Sequence, residues 1–241
     1  MQADSSQRSS VLRILSGGAA QGLVNALAPR FEADTGSAIR GEFGAVGAMA
    51  EKLRSGASAD LLILTSELIG ALAREGHAAS RSSADIGVVQ TAVAVRGRDP
   101  RPALGDAAAL RAALLAADAI HIPDPERATA GIHVAGLLGR LGIRDETAPR
   151  LRVFPNGATA MRELASSRSE RPIGCTQATE ILSTPGVVLV GPLPEGCALA
   201  TTYTAAVAAR AVHPDEARRF LERLTDETAR QIRGALGFSD A

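Results

Sequence analysis

The sequence predicts an α/β protein made of two doubly wound lobes joined by two extended crossovers. Three observations carry that expectation. A unit of strand, small-residue turn and helix recurs along the chain. Two long extended segments, at 86–95 and 198–208, interrupt the alternation. The 241 residues, 46% of them hydrophobic, supply enough core for one large or two modest α/β domains. With the interruptions as crossovers, residues 9–87 and 198–241 form lobe I and residues 88–197 form lobe II.

Each element has a local reason. Val11, Ile14 and Leu15 make a buried strand that stops at Ser16-Gly17-Gly18, and the spacing of Leu23, Leu27 and Phe31 places a helix over about 19–34. Residues 37–43 read as a second strand, Gly44 to Gly47 as a turn, and 48–54 as a helix. The apolar run Leu61-Leu-Ile-Leu64 is a buried strand, and Thr65-Ser66 caps a helix that Gly76 ends. Three such units in succession predict a parallel, right-handed sheet.

Beyond the first crossover, a helix over about 106–117 precedes the strand Ala119-Ile-His-Ile122, and the loop 123–131 opens a helix over 132–141. Leu151 to Phe154, the turn 155–159 and a helix over 160–167 repeat the pattern. A short strand at 173–176 leads into a helix at 177–182, and Val187 to Val190 is a further strand. After the return crossover, Ala217, Phe220, Leu221 and Leu224 mark one amphipathic helix and Ala229, Ile232 and Leu236 another, both packing back on the N-terminal domain.

Composition excludes several functions. Positive and negative side chains balance at 26 each, so no overall charge favours nucleic acid or an anionic membrane. Aromatic residues make up 2% and Trp is absent, which leaves no stacking platform for bases or sugars. Lys52 is the single lysine and has no phosphate-loop pattern around it. Cys175 and Cys197 are too few for a disulfide framework; one bridge between them is allowed, but two buried thiols are expected. No apolar run approaches membrane-spanning length, and residues 1–10 lack the apolar core of a signal peptide. The expected location is periplasmic if an export signal was removed and a start Met added, and cytoplasmic otherwise.

The turns carry the chemistry. Helix starts near Gly17, Gly47, Gly131 and Gly157 expose unpaired backbone N–H groups at the positive end of a helix dipole, which suits a multi-oxygen anion without any cationic side chain. The expected ligand-binding set is Ser16, Gly17 and Gly18, then Ala45, Val46 and Gly47, then Thr65, then Thr129, Ala130 and Gly131, then Asn156 and Gly157, and finally Gln177. Ser66 and Thr176 are further neutral donors nearby. Each turn also has a plain structural use, with glycine shaping a connection and Thr129, Asn156 and Ser66 capping helices. Arg127 and His133 flank the third turn as partners for a carboxylate or as a proton shuttle. His77, His121 and His213 show no ligand-like spacing, so no metal and no cofactor are expected.

In these turns the chain resembles the periplasmic molybdate-binding proteins of ABC importers. The matching stretches are Ser16-Gly-Gly-Ala-Ala, Phe43-Gly-Ala-Val-Gly47, Ser58-Ala-Asp-Leu-Leu-Ile63, Pro123-Asp-Pro, Thr129-Ala-Gly-Ile-His133 and Ile173-Gly-Cys-Thr-Gln177, in family order over almost the whole chain. The resemblance implies a type II periplasmic binding protein fold, hinge closure and a small oxyanion held between lobes. Where that family places serine hydroxyls, this chain has Gly17 or Gly18 and Ala45 or Val46, and Gln177 stands where the family has a tyrosine. The stretches 173–182 and 185–194 look more like the superfamily branch that includes aconitate isomerase, which implies a small polycarboxylate. The expected function is a monomeric solute-binding protein that hands a small anion to an ABC permease, with no nucleic acid and no membrane insertion. The alternative is an aconitate isomerase-like enzyme in which His133 or a carboxylate is the catalytic base.

Overall fold

The computed structural model describes residues 10–240. The opening stretch through Ser9 and the terminal Ala241, both named above, lie outside the described residues. Strand β1 (Val11–Gly17) runs through a single 3-10 turn at Gly18–Ala20 into helix α1 (Gln21–Thr35). Strand β2 (Ala38–Gly44), helix α2 (Val46–Arg54), strand β3 (Leu61–Thr65) and helix α3 (Ser66–Arg74) complete three units. Strands β2, β1 and β3 are parallel neighbours, joined by the two crossovers through α1 and α2.

The long strand β4 (Ala78–Arg96) then links the two lobes. It is followed by α4 (Ala107–Ala116), β5 (Ala119–Pro123), α5 (Thr129–Arg140), the short α6 (Arg144–Thr147), β6 (Leu151–Phe154), α7 (Gly157–Ser166), β7 (Pro172–Gln177), α8 (Ala178–Leu182) and β8 (Val187–Pro192). Strand β9 (Ala200–Ala208) returns, and helices α9 (Pro214–Thr225) and α10 (Glu227–Ala235) finish the chain. The sheet order is β2-β1-β3-β9-β4-β7-β5-β6, with β8 paired to β4.

Two expectations on boundaries are corrected. The sequence starts the first crossover at Ile86, whereas β4 begins eight residues earlier, because β9 pairs with it from Ala78↔Ala208 through Gln90↔Ala200. The polar stretch at its start has little strand propensity of its own, and pairing with a neighbour supplies what propensity does not. The helices predicted from 48, 132 and 160 begin instead at Val46, Thr129 and Gly157, so the glycines assigned to turns stand inside the first helical turns. At Gly131 a Cβ would lie 2.2 Å from the Asp124 carbonyl oxygen and 2.5 Å from that of Pro123. That glycine lets the loop pack against the helix; it does not shape a turn.

Period-two alternation in β4 divides the interior. Ala92 and Ala94 belong to the core that β1, β3 and β9 share with α1, α7 and α9, while Val93 and Val95 face a second core with Leu110, Ile120, Val134 and Leu138. Helix α9 packs on α1, β4 and β9, where Phe220 meets Phe31 edge to face at 5.0 Å. Asp60, fully buried, accepts hydrogen bonds from the backbone N–H groups of Arg13 (2.8 Å), Val212 (2.7 Å) and His213 (2.9 Å), which fastens β1 to the segment before α9. Cys175 and Cys197 are buried free thiols, and burial pushes the Cys175 thiol up to about 12. No helix among the described residues is long and apolar enough to cross a membrane.

Candidate functional site

Helix starts that follow several of the strands converge on one cavity. This small inner cavity of about 20 Å³ is lined by Gly18 and Ala19 before α1, Gly44 to Val46 at the start of α2, Ala128 to Ala130 at the start of α5, and Asn156-Gly157 at the start of α7. Thr176, Gln177 and Glu180 close it from the β7–α8 junction, Pro123 from the end of β5 and Tyr203 from β9. A larger outer cleft opens beside it, and Val46 and Thr129 stand in the wall between the two. Glu67, Glu126, Arg127 and His133 bring charge and titratable groups to that outer cleft.

The residues expected to bind ligand divide accordingly. Gly18, Ala45, Val46, Thr129, Ala130, Asn156, Gly157 and Gln177 line the inner cavity. Gly47, Thr65 and His133 line the outer cleft. Ser16, Gly17 and Gly131 line neither. Ser16 is fully buried and its hydroxyl donates to the Gly17 carbonyl at 2.9 Å, and a Cβ on Gly17 would run into Val46 and Tyr203. These glycine and serine positions serve packing between β1, α2 and β9.

Several expected donors are already engaged. Asn156 caps α7 through the Thr159 N–H at 2.8 Å, and Thr65 caps α3 through the Leu68 N–H at 3.3 Å. The Gly47 N–H donates to the Arg127 carbonyl at 3.0 Å, a bond from the start of α2 to the loop before α5, and the Arg127 guanidinium lies 3.6 Å from Glu51 on α2. His133 Nε2 meets the Cys197 carbonyl at 2.7 Å. A neutral ring that donates from Nε2 leaves Nδ1 as an acceptor.

Sequence reasoning missed the two titratable groups of the inner cavity. Glu180, 6% exposed, stands at the third position of α8 and turns its carboxyl back toward the N–H of Gln177, as in a capping box. It also faces the first N–H groups of α7, on Gly157 and Ala158, and accepts a hydrogen bond from the Thr176 hydroxyl at 2.5 Å. Burial raises its pKa, against the pull of those donors, and no cation is among the groups that shift it. Tyr203 is also pushed up, chiefly by burial and then by the Glu180 charge. Its hydroxyl is within reach of the Gln177 amide, but no bond of good geometry forms between them, and Gln177 Oε1 stays without a partner. The spacing of Glu180 from Gln177 was the available signal for the capping box; nothing local signalled that β9 would deliver Tyr203.

The model of the bacterial extracellular solute-binding protein family matches residues 12–239. Among individual proteins, the chain is 25% identical over 226 residues to an aconitate isomerase from a Pseudomonas species, covering 90% of this chain and 83% of that one. It is 26% identical over 201 residues to the molybdate-binding protein of Escherichia coli, covering 78% of this chain and 75% of that one. In structure it resembles the periplasmic molybdate-binding protein of Azotobacter vinelandii with a TM-score of 0.79 at 19% identity, over 95% of this chain and 99% of that one.

Proposed function

The chain belongs to the bacterial extracellular solute-binding protein family, and on that premise we propose that it captures a small anion, an oxyanion or a small carboxylate, in the inner cavity and hands it to an ABC permease. The single observation that carries this reading is the ring of helix starts. Segments opening α1 and α2 in one lobe and α5 and α7 in the other surround one cavity, and no Arg or Lys is among its lining residues. Amide dipoles at the positive ends of helices then take the place of a counter-ion. The lobes 9–87 with 198–241 and 88–197 hinge about β4 and β9, and the Gly47 to Arg127 bond is made as they meet. Closure strips water from the cavity and strengthens each polar contact. A periplasmic setting fits this role.

A second reading is an aconitate isomerase-like enzyme. The likeness to that isomerase favours it, together with a buried carboxyl in the inner cavity and an imidazole, His133, at the mouth. Proton abstraction and return by such groups would move a double bond in a polycarboxylate. Calorimetric titration with molybdate, tungstate, citrate and both aconitate isomers, run beside an NMR turnover assay, separates the two. Binding without turnover supports the carrier. Conversion of cis- to trans-aconitate that His133→Ala abolishes overturns it, and the absence of any anion binding overturns both.

A further inference from the structure

The α7 cradle expected to hold a guest already holds a carboxyl group of the protein. A Cβ on Gly157 would lie 1.8 Å from Glu180 Oε2, and one on Gly18 would lie 2.3 Å from Glu180 Oε1. Both glycines therefore make room for Glu180, which lines the cavity with Thr176 and Gln177 beside it. Its partners are all neutral: the Thr176 hydroxyl and the N–H groups of Gln177, Gly157 and Ala158. Among the residues lining the cavity and the hollow behind Glu180, the other titratable or charged groups are Tyr203 of β9 and Arg162 of α7. Arg162 spends a guanidinium N–H on Thr159 at 2.9 Å. An anion that enters thus meets an acceptor-only group unless one hydrogen lies between them.

We propose that Glu180 is the specificity-determining residue of this cleft: the guest shares one hydrogen with the Glu180 carboxyl, so the site prefers anions that carry an acidic hydrogen or a hydroxyl. A fully ionised oxyanion enters only when the carboxyl itself has taken a proton from solvent. This rests on the anion-binding reading above and names its ligand class. Two acceptors facing each other in a water-poor cavity repel, whereas a hydrogen between them makes a short, charge-assisted bond. The unpartnered Gln177 Oε1 beside them is a further acceptor for a guest that brings a hydrogen.

The probes are sulfate, molybdate and inorganic phosphate, titrated calorimetrically into the whole chain and its Glu180→Gln variant from about pH 6 to about pH 9, in buffers of different ionisation enthalpy. Sulfate and phosphate share shape, but only phosphate keeps a hydrogen over this range. For the wild type, sulfate and molybdate affinity should fall about tenfold per pH unit on the alkaline side, with uptake of about one proton per anion, while phosphate stays within about threefold. Glu180→Gln, which offers an amide N–H in place of the carboxylate, should flatten the sulfate profile and narrow the phosphate preference. Sulfate or molybdate binding that is independent of pH, takes up no proton and is unchanged in Glu180→Gln overturns the proposal while leaving the anion-binding reading standing. If none of the three binds either protein, and the carboxylates tested above also fail, both fall together.

Discussion

Replacing Gly18 with alanine tests whether Glu180 is pinned where the structure places it. Gly18 does not have a positive φ, so alanine suits its backbone, and with free space the change would stabilise the fold by about 0.4–1 kcal/mol through the unfolded chain. The space is not free. The new Cβ would lie 2.3 Å from Glu180 Oε1, with the next neighbour, the Glu180 carboxyl carbon, at 3.4 Å. The carboxyl must move off the α7 N-terminus and away from Thr176, at about 1.5–3 kcal/mol for the hydrogen bonds to a charged group, with an overpacking cost of about 1–3 kcal/mol if it stays in place. Gly18→Ala should therefore lose about 2 kcal/mol in urea unfolding, with the m-value unchanged. In a Glu180→Ala background the obstacle is gone, and the same change should become neutral or mildly stabilising. The coupling between the two sites is then about 2–3 kcal/mol. A loss below about 0.5 kcal/mol for Gly18→Ala alone would refute the reasoning, because it would mean that the carboxyl swings freely into the hollow lined by Gln21 and Arg162.

Three further outcomes follow from the geometry. Gly47→Ala puts a Cβ 3.0 Å from the Arg127 carbonyl oxygen across the lobes, so anion affinity measured by calorimetry should weaken by about fivefold while thermal stability stays within about 1 °C; equal affinity would show that this contact plays no part in closure. Asp60→Ala leaves the N–H groups of Arg13, Val212 and His213 without their acceptor and should cost about 3 kcal/mol in chemical denaturation, which a loss under about 1 kcal/mol would contradict. His121 is buried, stacked on Phe154 at 5.4 Å with both ring nitrogens unpartnered, and its pKa is lowered to about 4 by burial and then by Arg152 and Arg96. The unfolded chain takes that proton first, so stability is full above about pH 6.5 and falls by at most about 3 kcal/mol as pH drops toward 4. Glu180 acts in the opposite sense, since a raised carboxyl pKa removes stability as pH rises above the unfolded value. His121→Phe should remove the acid-side slope in urea titrations between about pH 4 and about pH 6.5, and an unchanged slope would assign it to other groups.

The units of strand, turn and helix were legible because their signals are local. Leu61 to Leu64 could only be a buried strand, Asp106 and Asn156 cap the helices that follow them, and Gly76 ends α3 at a φ of +78°. The start of β4 was not legible, because its polar residues form strand only through β9, which lies over a hundred residues away in sequence. The candidate site divides in the same way. Small-residue turns announced Gly18, Ala45, Val46, Thr129 and Asn156, all of which line the inner cavity. Gly17 and Gly131 carry the same composition but line neither cavity, and composition alone does not say which neighbour a glycine makes room for: Val46 and Tyr203 at Gly17, the Asp124 and Pro123 carbonyls at Gly131, and Glu180 at Gly18 and Gly157.

By itself the sequence determined the α/β class and the succession of strands, small-residue turns and helices, since each of these follows from residue type within a few positions. Only the tertiary structure decided that Glu180 occupies the α7 cradle and that Tyr203 stands behind Gly17. Those contacts join separate elements, and their energies depend on burial and distance, which exist only once the chain has packed.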